Sequence, residues 1–427
     1  MDIASLYQLY KAATGFTIDS RKIQPGYLYF ALKGEHFDGN SFAAKALEQG
    51  AAYAIIDRSE YRTDDRCILV TDVLQTMQQL GLHHRRQLPL KAVIGITGSN
   101  GKTTTKELVH AVLATTFRTH YTKGNLNNHI GIPITLLEMP EDTEIAVIEM
   151  GANHQREIAS YCTYVEPTHG IITNCGKAHL EGFGGVEGIR KGKGELYDYL
   201  KEHDGFVFVN GDDDILLNML RQRNMPSYRT YGHSPSAECR SKILIDNPFL
   251  KIAFGDITID SHLFGSYNYS NIMCAVAVGN YFGVSDMQIK SAIEQYNPTN
   301  ARSQVLQKNG YQLILDAYNA NPTSMQHALE SFAKSAAEKK VVILGDMFEL
   351  GEYSEQEHQK IAALAEQLQF DTIVLVGQAF SRTNTGPAVL KFGNNLETQE
   401  WFRKQHFDGA HILLKGSRSM QMEKVVE

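Results

Sequence analysis

At 427 residues, with 43% hydrophobic and 21% charged residues, the chain has the composition of a soluble globular protein of two to four domains, which excludes a disordered one. A net charge of −7 argues against a general nucleic-acid or anionic-membrane binder, and no apolar run approaches the ~20 residues of a membrane span. Five scattered cysteines without a C-x-x-C pair argue against a disulfide framework or a zinc site, and with a Met1–Tyr10 segment unlike a signal peptide they predict a reducing, cytoplasmic setting.

In chain order, short β-rich apolar runs alternate with helical patterns, the grammar of an α/β protein with a largely parallel sheet. Tyr27–Leu32 and Ala52–Ile56 read as strands, and Asn40–Gln49 as a helix closed by Gly50. The polar, basic run His83–Pro89, stopped by proline, reads as a linker after a small N-terminal domain at 1–85. A central domain, 90–299, opens with the strand Ala92–Ile96 and continues with strands at Ile145–Ile148, Gly170–Thr173 and Phe206–Val209. A β-rich piece, Ser241–His262, precedes a helix over Asn268–Val278, and Asn297–Asn300 is a turn-rich boundary. A C-terminal domain, 300–427, carries strands at Gln312–Leu315, Val341–Leu344, Thr372–Val376 and His411–Leu414, with Ser354 and Glu357 as a capping box on one of its helices. A short last helix is expected just before Glu427.

The strongest motif is Gly95-Ile96-Thr97-Gly98-Ser99-Asn100-Gly101-Lys102-Thr103-Thr104, between an apolar strand and the helical pattern Lys106–Leu113. Glycines let backbone N–H groups fold around phosphate oxygens, and a helix N-terminus favours the anion. Gly98, Ser99, Asn100, Gly101, Lys102, Thr103 and Thr104 are therefore the expected nucleotide contacts. Lys102 would reach the terminal phosphates and Thr103 would offer its hydroxyl to Mg2+. Ile96 stands where the common string has its first glycine, but strand, loop, Lys-Thr pair and helix are all in place. The apolar strand ending in Glu149 supplies an acid of the type that holds Mg2+ beside such a loop. Asn174–His179 places further polar residues after a strand, and Lys191-Gly192-Lys193 opens a helix. Residue chemistry alone leaves His179 open between a structural and a ligand role, and Lys193 open between a solvated face and a phosphate contact.

The run Gly95–Thr105, Asn125-Leu126-Asn127-Asn128, Glu149-Met150-Gly151, Asn174–His179, Lys193 and Gly265–Asn271 together resemble the ATP-dependent Mur ligase family. Asp19-Ser20-Arg21, Pro25-Gly26, Leu32-Lys33-Gly34 and Asp38-Gly39 resemble the UDP-binding domain of its later-acting members. Asp316–Pro322, Leu344–Gly351 and Leu414–Met420 resemble the member that joins D-alanyl-D-alanine to UDP-N-acetylmuramoyl-tripeptide through an acyl phosphate. The resemblance runs through all three domains in order. It implies an N-terminal UDP-binding α/β domain, a central P-loop ATPase domain, a C-terminal Rossmann-like domain and a monomeric chain.

The same resemblance implies roles for single residues. Lys102 and Thr103 would hold the ATP phosphates and the first of two Mg2+ ions. Glu149 would contact metal and His179 would help to hold the second ion. Lys193 would be carbamylated, its new carboxylate supporting the metal site. Asn268 and Asn271 would contact adenine, and Arg302 and Asp316 would close over the nucleotide. Lys102, Lys193, His179 and Arg302 form the implied catalytic set. Ser20, Arg21, Lys33, Gly34, Asn125, Asn127 and Asn128 are implied substrate contacts. Asp346, Lys415, Ser417 and Arg418 are expected near the incoming dipeptide or the γ-phosphate.

Three features depart from the family pattern. Ala301 precedes Arg302 where relatives carry glycine, His129 follows the asparagine pair where an acid is common, and Asp246-Asn247-Pro248-Phe249 reads as a β-turn despite its likeness to a diaminopimelate-recognition string. The rival readings are a P-loop switch or motor, the family member that adds diaminopimelate or lysine, and a folylpolyglutamate synthetase. The absence of an Asn-Lys-x-Asp string counts against a GTPase switch, the Asp19–Asn40 run against the folate enzyme, and the Asp316–Pro322 and Lys415–Met420 runs against the earlier-acting ligase.

Overall fold

Strands separated by a helix must cross over, and a crossover returns the chain parallel to its predecessor. The computed structural model, which describes residues 1–298, 301–308 and 310–427, follows that rule in three α/β units. The expected boundary turn falls partly outside the described residues, at 299 and 300. The N-terminal sheet is parallel throughout: β1 (Gly15–Thr17), β2 (Tyr27–Phe30), β3 (Tyr53–Ile56) and β4 (Cys67–Leu69), in that order.

The central sheet contains β5 (Ala92–Thr97), β6 (Thr119–Tyr121), β7 (Ile145–Glu149), β8 (His169–Ile172), β9 (Phe206–Asn210), β10 (Tyr228–Gly232), β11 (Cys239–Ile245), β12 (Phe249–Phe254) and β13 (Ile257–Phe264). Their order is β13-β12-β11-β10-β9-β8-β5-β7-β6, parallel from β6 to β11 and antiparallel over β11-β12-β13. The Asp246–Phe249 run is the connection of that antiparallel pair, as its turn residues require. The third sheet holds β14 (Gln304–Lys308), β15 (Tyr311–Asp316), β16 (Lys339–Gly345), β17 (Thr372–Val376), β18 (Leu390–Phe392) and β19 (Ala410–Lys415) in the order β14-β15-β19-β16-β17-β18. Only β14 runs antiparallel to its neighbour. None of the described helices is long and apolar enough to cross a membrane.

Two local expectations are corrected. Most of His83–Pro89 is no irregular linker: the helix Val73–Gln87 includes its first five residues, and only Leu88 and Pro89 lie beyond the helix end. Its polar groups dock on the central domain. His84 is buried and hydrogen-bonds Tyr7 Oη at 3.0 Å and the Met139 carbonyl at 2.8 Å. Arg85 donates to the Val165 carbonyl and pairs with Glu166 at 2.8 Å. Nor do Ser354 and Glu357 form a capping box. The cap position is Tyr353 with no side-chain hydrogen bond, Ser354 faces His358, and Glu357 pairs with Lys177 and Lys360. Reciprocal capping is found instead at Ser285/Gln288 and Asn321/Ser324. The last segment forms two 3-10 turns, Arg418–Met420 and Met422–Val426.

The three units pack through apolar surface. Leu137 of the central domain joins the N-terminal cluster of Leu6, Met77 and Leu80. Leu180 and Phe183 share a continuous cluster with Met347 and Leu350 of the C-terminal domain. Burial of this kind contributes roughly 25 cal/mol per Å2 removed from water.

Candidate active site

β5 is buried along its whole length, and register pairs Ile96 with Glu149 of β7. The carboxyl ends of these strands therefore open side by side, into a cleft of about 860 Å3 between the central and C-terminal domains. Ser99 to Thr104 line it. Gly98 and Gly101 take φ +143° and +79°, and a Cβ there would lie 1.9 Å from Thr173 Oγ1 and 2.5 Å from Asn271 Oδ1. Conformation and space both demand glycine at these two positions. Gly101 also leaves the helix Lys102–Leu113 without a side-chain cap, so its first N–H groups remain free for an anion.

The loop is held from β8. Ser99 N–H donates to the Asn174 carbonyl at 3.0 Å, Asn100 N–H to Asn174 Oδ1 at 3.1 Å, and Ser99 Oγ to the Gly176 carbonyl at 2.7 Å. Lys102 Nζ donates to the Gly98 and Ser99 carbonyls at 2.7 and 3.2 Å, and burial pulls its pKa below the ordinary lysine value.

Glu149 is buried and fully partnered. It accepts from Thr103 Oγ1 at 3.0 and 3.2 Å and from Asn127 Nδ2 at 2.7 Å. Lys106 Nζ lies 3.5 Å away, on a side chain with no exposure. Lys106 stands one helical turn after Lys102, between Thr105 and Glu107, where the sequence alone reads it as a solvated lysine. Asn268 and Asn271 line the cleft and bond each other at 2.8 Å. Asn268 donates to the Phe264 carbonyl, and Asn271 accepts from Thr105 Oγ1.

His179 lines the cleft and contacts Glu349 of the C-terminal domain. Both have left-handed backbone, φ +53° and +62°, and the pair draws the Glu349 carboxyl below its usual range. Lys193 lies buried behind the cleft wall. Its Nζ donates to the Ala152 carbonyl at 3.2 Å and stands 4.8 Å from the centre of the Phe183 ring. Burial, and then the charge of Lys102, bring its pKa down to about 7. Among the described residues no cluster of three or more His, Cys, Asp and Glu is arranged to hold a metal.

The C-terminal domain brings Arg302, Asp316 and Lys415 to the same cleft. Lys415 is buried, with Nζ 2.6 Å from Asp316 Oδ2. Asp316 Oδ1 accepts from Ser303 N–H at 3.0 Å. Arg302 stacks on Tyr318, its Cζ 3.4 Å from the ring centre. Ala301 has φ +54°, a left-handed conformation that glycine adopts without strain. Asn321 binds Asn100 across the domain boundary, at 2.7 Å from Nδ2 to Oδ1.

Asn125, Asn127, Asn128 and His129 line the far end of the cleft. Asn128 Oδ1 accepts from Ile130 and Gly131 N–H, fixing the start of the helix Gly131–Leu137. Ser20, Arg21, Lys33 and Gly34 do not reach the cleft; they stay on the N-terminal domain, with Arg21 paired to Asp19 and Lys33 to Asp57, both at 2.9 Å. Asp346 is also outside it. It is buried and accepts from Ala379 and Phe380 N–H, capping the short helix Gln378–Ser381. Ser417 Oγ accepts from Phe348 N–H, and Arg418 is exposed near Glu423. Resemblance to the family runs is what suggests these three; the Asp346 carboxylate and the Ser417 hydroxyl are engaged by backbone amides, while Arg418 stands 5.6 Å from the ring of Tyr318, which lines the cleft.

Family models match three successive segments: Mur ligase family, catalytic domain, at 13–86; Mur ligase middle domain at 96–279; and Mur ligase, glutamate ligase domain, at 301–417. The UDP-N-acetylmuramoyl-tripeptide–D-alanyl-D-alanine ligase of Bacillus subtilis (strain 168) is 35% identical, over 97% of this chain and 92% of its own. A crystal structure of MurF from Acinetobacter baumannii superposes with a TM-score of 0.88 at 31% identity, over 99% of this chain and 97% of that one. MurF from Thermotoga maritima in complex with ADP superposes at 0.85 with 26% identity, over 98% and 97%.

Proposed function

This chain belongs to the Mur ligase family, and from that premise we propose that it joins D-alanyl-D-alanine to UDP-N-acetylmuramoyl-tripeptide, coupled to cleavage of ATP to ADP and phosphate. One observation carries the reading: a phosphate loop and its buried acid share a single cleft with Arg302, Asp316 and Lys415 from the next domain. A nucleotide and an acyl acceptor thus meet between two bodies that can close.

The terminal carboxylate of the tripeptide attacks the γ-phosphorus, and the bond to the ADP oxygen breaks. The amine of D-alanyl-D-alanine then attacks the acyl carbon; phosphate leaves, and the amine proton goes to phosphate or solvent. The first step brings anion against anion. Lys102, freed from the loop carbonyls, and Arg302 neutralise that charge. Asn268 and Asn271 hold adenine, Asp316 orients Lys415 toward the reacting phosphoryl group, and Asn125, Asn127 and Asn128 receive the tripeptide. Ser20, Arg21, Lys33 and Gly34 serve the UDP end. Closure of the C-terminal domain keeps water from the acyl phosphate.

The Thr103 hydroxyl and the buried Glu149 carboxylate are hard oxygen donors beside the phosphate site, which fits Mg2+ with phosphate and water oxygens completing the shell. Bound there, Mg2+ would supply Lewis-acid stabilisation of charge on the transferring group. His179, which lines the cleft, would help to hold a second ion, and Lys193 would accept a carbamate. A buried amine with a pKa near 7 is partly neutral at physiological pH, so its lone pair can add to CO2 with loss of a proton. The carbamate would turn a cation into an oxygen donor. The cleft is complete within one chain, which supports action as a monomer, and the five free cysteines support a cytoplasmic setting.

Phosphate release from Mg-ATP tests the reading. Release that requires both acceptors, with a product larger by the dipeptide, is the expected result. Release indifferent to both would overturn it in favour of a switch or motor.

A further inference from the structure

We infer that Tyr318 is a positioning residue for the ligation: its ring face holds the Arg302 guanidinium over the nucleotide. The inference deepens the ligase reading and rests on it.

Arg302 is aimed by its backbone and by this ring. The residues on either side of it, Ala301 and Ser303, have φ +54° and +49°, conformations that are strained for a non-glycine residue and persist only when their surroundings enforce them. The enforcing contacts are visible. Ser303 N–H donates to Asp316 Oδ1 at 3.0 Å, Ser303 Oγ and Tyr267 Oη lie 2.8 Å apart, and Tyr318 N–H donates to the Ala301 carbonyl at 3.2 Å. The last bond ties the Arg302 segment to the segment that carries the ring.

With the backbone fixed, a long arginine still has several rotatable bonds. Stacking at 3.4 Å selects one arrangement, and both partners line the cleft. A second guanidinium, Arg418, approaches the same ring at 5.6 Å. Arg418 is largely exposed and has Glu423 3.8 Å away, so Arg302 is the cation that the ring face holds closely. The ring face is what this role uses, and the phenolic oxygen has no part in it.

The test reads the ATP dissociation constant by calorimetry without acceptors, together with KM for ATP and kcat in the complete assay. Tyr318→Phe should keep the dissociation constant within about twofold of wild type. Tyr318→Leu should raise it and KM by roughly five- to thirtyfold and lower kcat at saturating ATP as well, because the guanidinium it releases also neutralises charge in the phosphoryl transfer. In an Arg302→Ala background Tyr318→Leu should add less than about twofold, since the two act as one unit. Where Tyr318→Leu does not fold, Tyr318→Gln takes its place in the same cycle. Equal losses with and without Arg302, or a Tyr318→Phe as weak as Tyr318→Leu, would overturn the inference. Wild-type phosphate release indifferent to the acceptors would instead overturn the ligase reading beneath it.

Discussion

Replacing Lys193 by methionine should make the protein more stable and inactive. The ammonium of Lys193 is buried with, among the described residues, one acceptor, the Ala152 carbonyl at 3.2 Å, and a ring face at 4.8 Å. An ammonium has three donors, so most of its hydration is unreplaced. A pKa displaced from 10.5 to about 7 corresponds, at about 1.4 kcal/mol per tenfold, to a penalty of up to roughly 5 kcal/mol on the charged form. Between those two values the folded chain holds the amine neutral while the unfolded chain still binds the proton. The unfolded state binds more protons, so stability rises with pH from about 7 to about 10.5 and Lys193 adds no slope below about 7. Methionine keeps the length and the contact with Phe183 and removes the charge. Urea unfolding in decarbonated buffers should place Lys193→Met about 2–5 kcal/mol above wild type at pH 6–7, with the gap narrowing toward pH 10.5. Bicarbonate at pH 8 should stabilise wild type and leave the variant unmoved, while ligation falls at least about a hundredfold in the variant. Parallel stability profiles for the two proteins from pH 6 to 10.5 would refute the reasoning, because they would show that Lys193 titrates normally.

Asp346→Asn should cost about 1–2 kcal/mol in denaturant unfolding, as loss of a charged cap on the helix Gln378–Ser381, and leave KM for the dipeptide unchanged. A raised KM with unchanged stability would return Asp346 to the substrate site. Ala301→Gly should be neutral or stabilising by up to about 1 kcal/mol, the reverse of Ala→Gly in a helix, because φ is +54° there; a loss of stability in thermal unfolding would contradict the left-handed conformation. Glu357→Gln should weaken closure, since Glu357 pairs with Lys177 across the domain boundary at 2.8 Å and with Lys360 at 2.9 Å. A double-mutant cycle with Lys177→Met should give a coupling of about 0.5–1 kcal/mol, Lys177 being partly exposed, and small-angle scattering should show a more open average shape; zero coupling would remove the latch.

The parts of the site that could be read from the sequence are those whose chemistry is local. Gly98 and Gly101 announce a tight phosphate turn because no other residue tolerates their backbone and their neighbours. The strand before Glu149 is apolar on both faces because it lies inside a parallel sheet, and the same run fixes where the acid emerges. What misled was polarity without a partner in view. His83–Pro89 looks like a solvated linker, yet His84 reaches Met139 and Arg85 reaches Glu166, residues far along the chain. Asp346 looks like a loop acid at a strand end, and its carboxylate is taken by amides more than thirty positions later. Lys106 was passed over for the opposite reason. A lysine in an amphipathic helix reads as solvated, and only the fold shows that its amine ends beside Glu149.

The segment Asn174–His179 gathers these long-range contacts into one device. Asn174 and Gly176 hold the phosphate loop from behind. Lys177 N–H donates to Thr323 Oγ1 at 2.9 Å, its amine reaches Glu357, and His179 meets Glu349, all three partners in the C-terminal domain. Within six consecutive residues after one strand, Asn174 and Gly176 therefore touch the phosphate loop and Lys177 and His179 touch the C-terminal domain. A shift of the C-terminal domain cannot leave the loop's support undisturbed, because packed elements transmit displacement where they share rigid contacts. The segment is a physical route by which movement of the C-terminal domain would be felt at the phosphate loop. His179 and Glu349, which meet at this contact, both carry left-handed backbone, a conformation that persists where the surroundings enforce it.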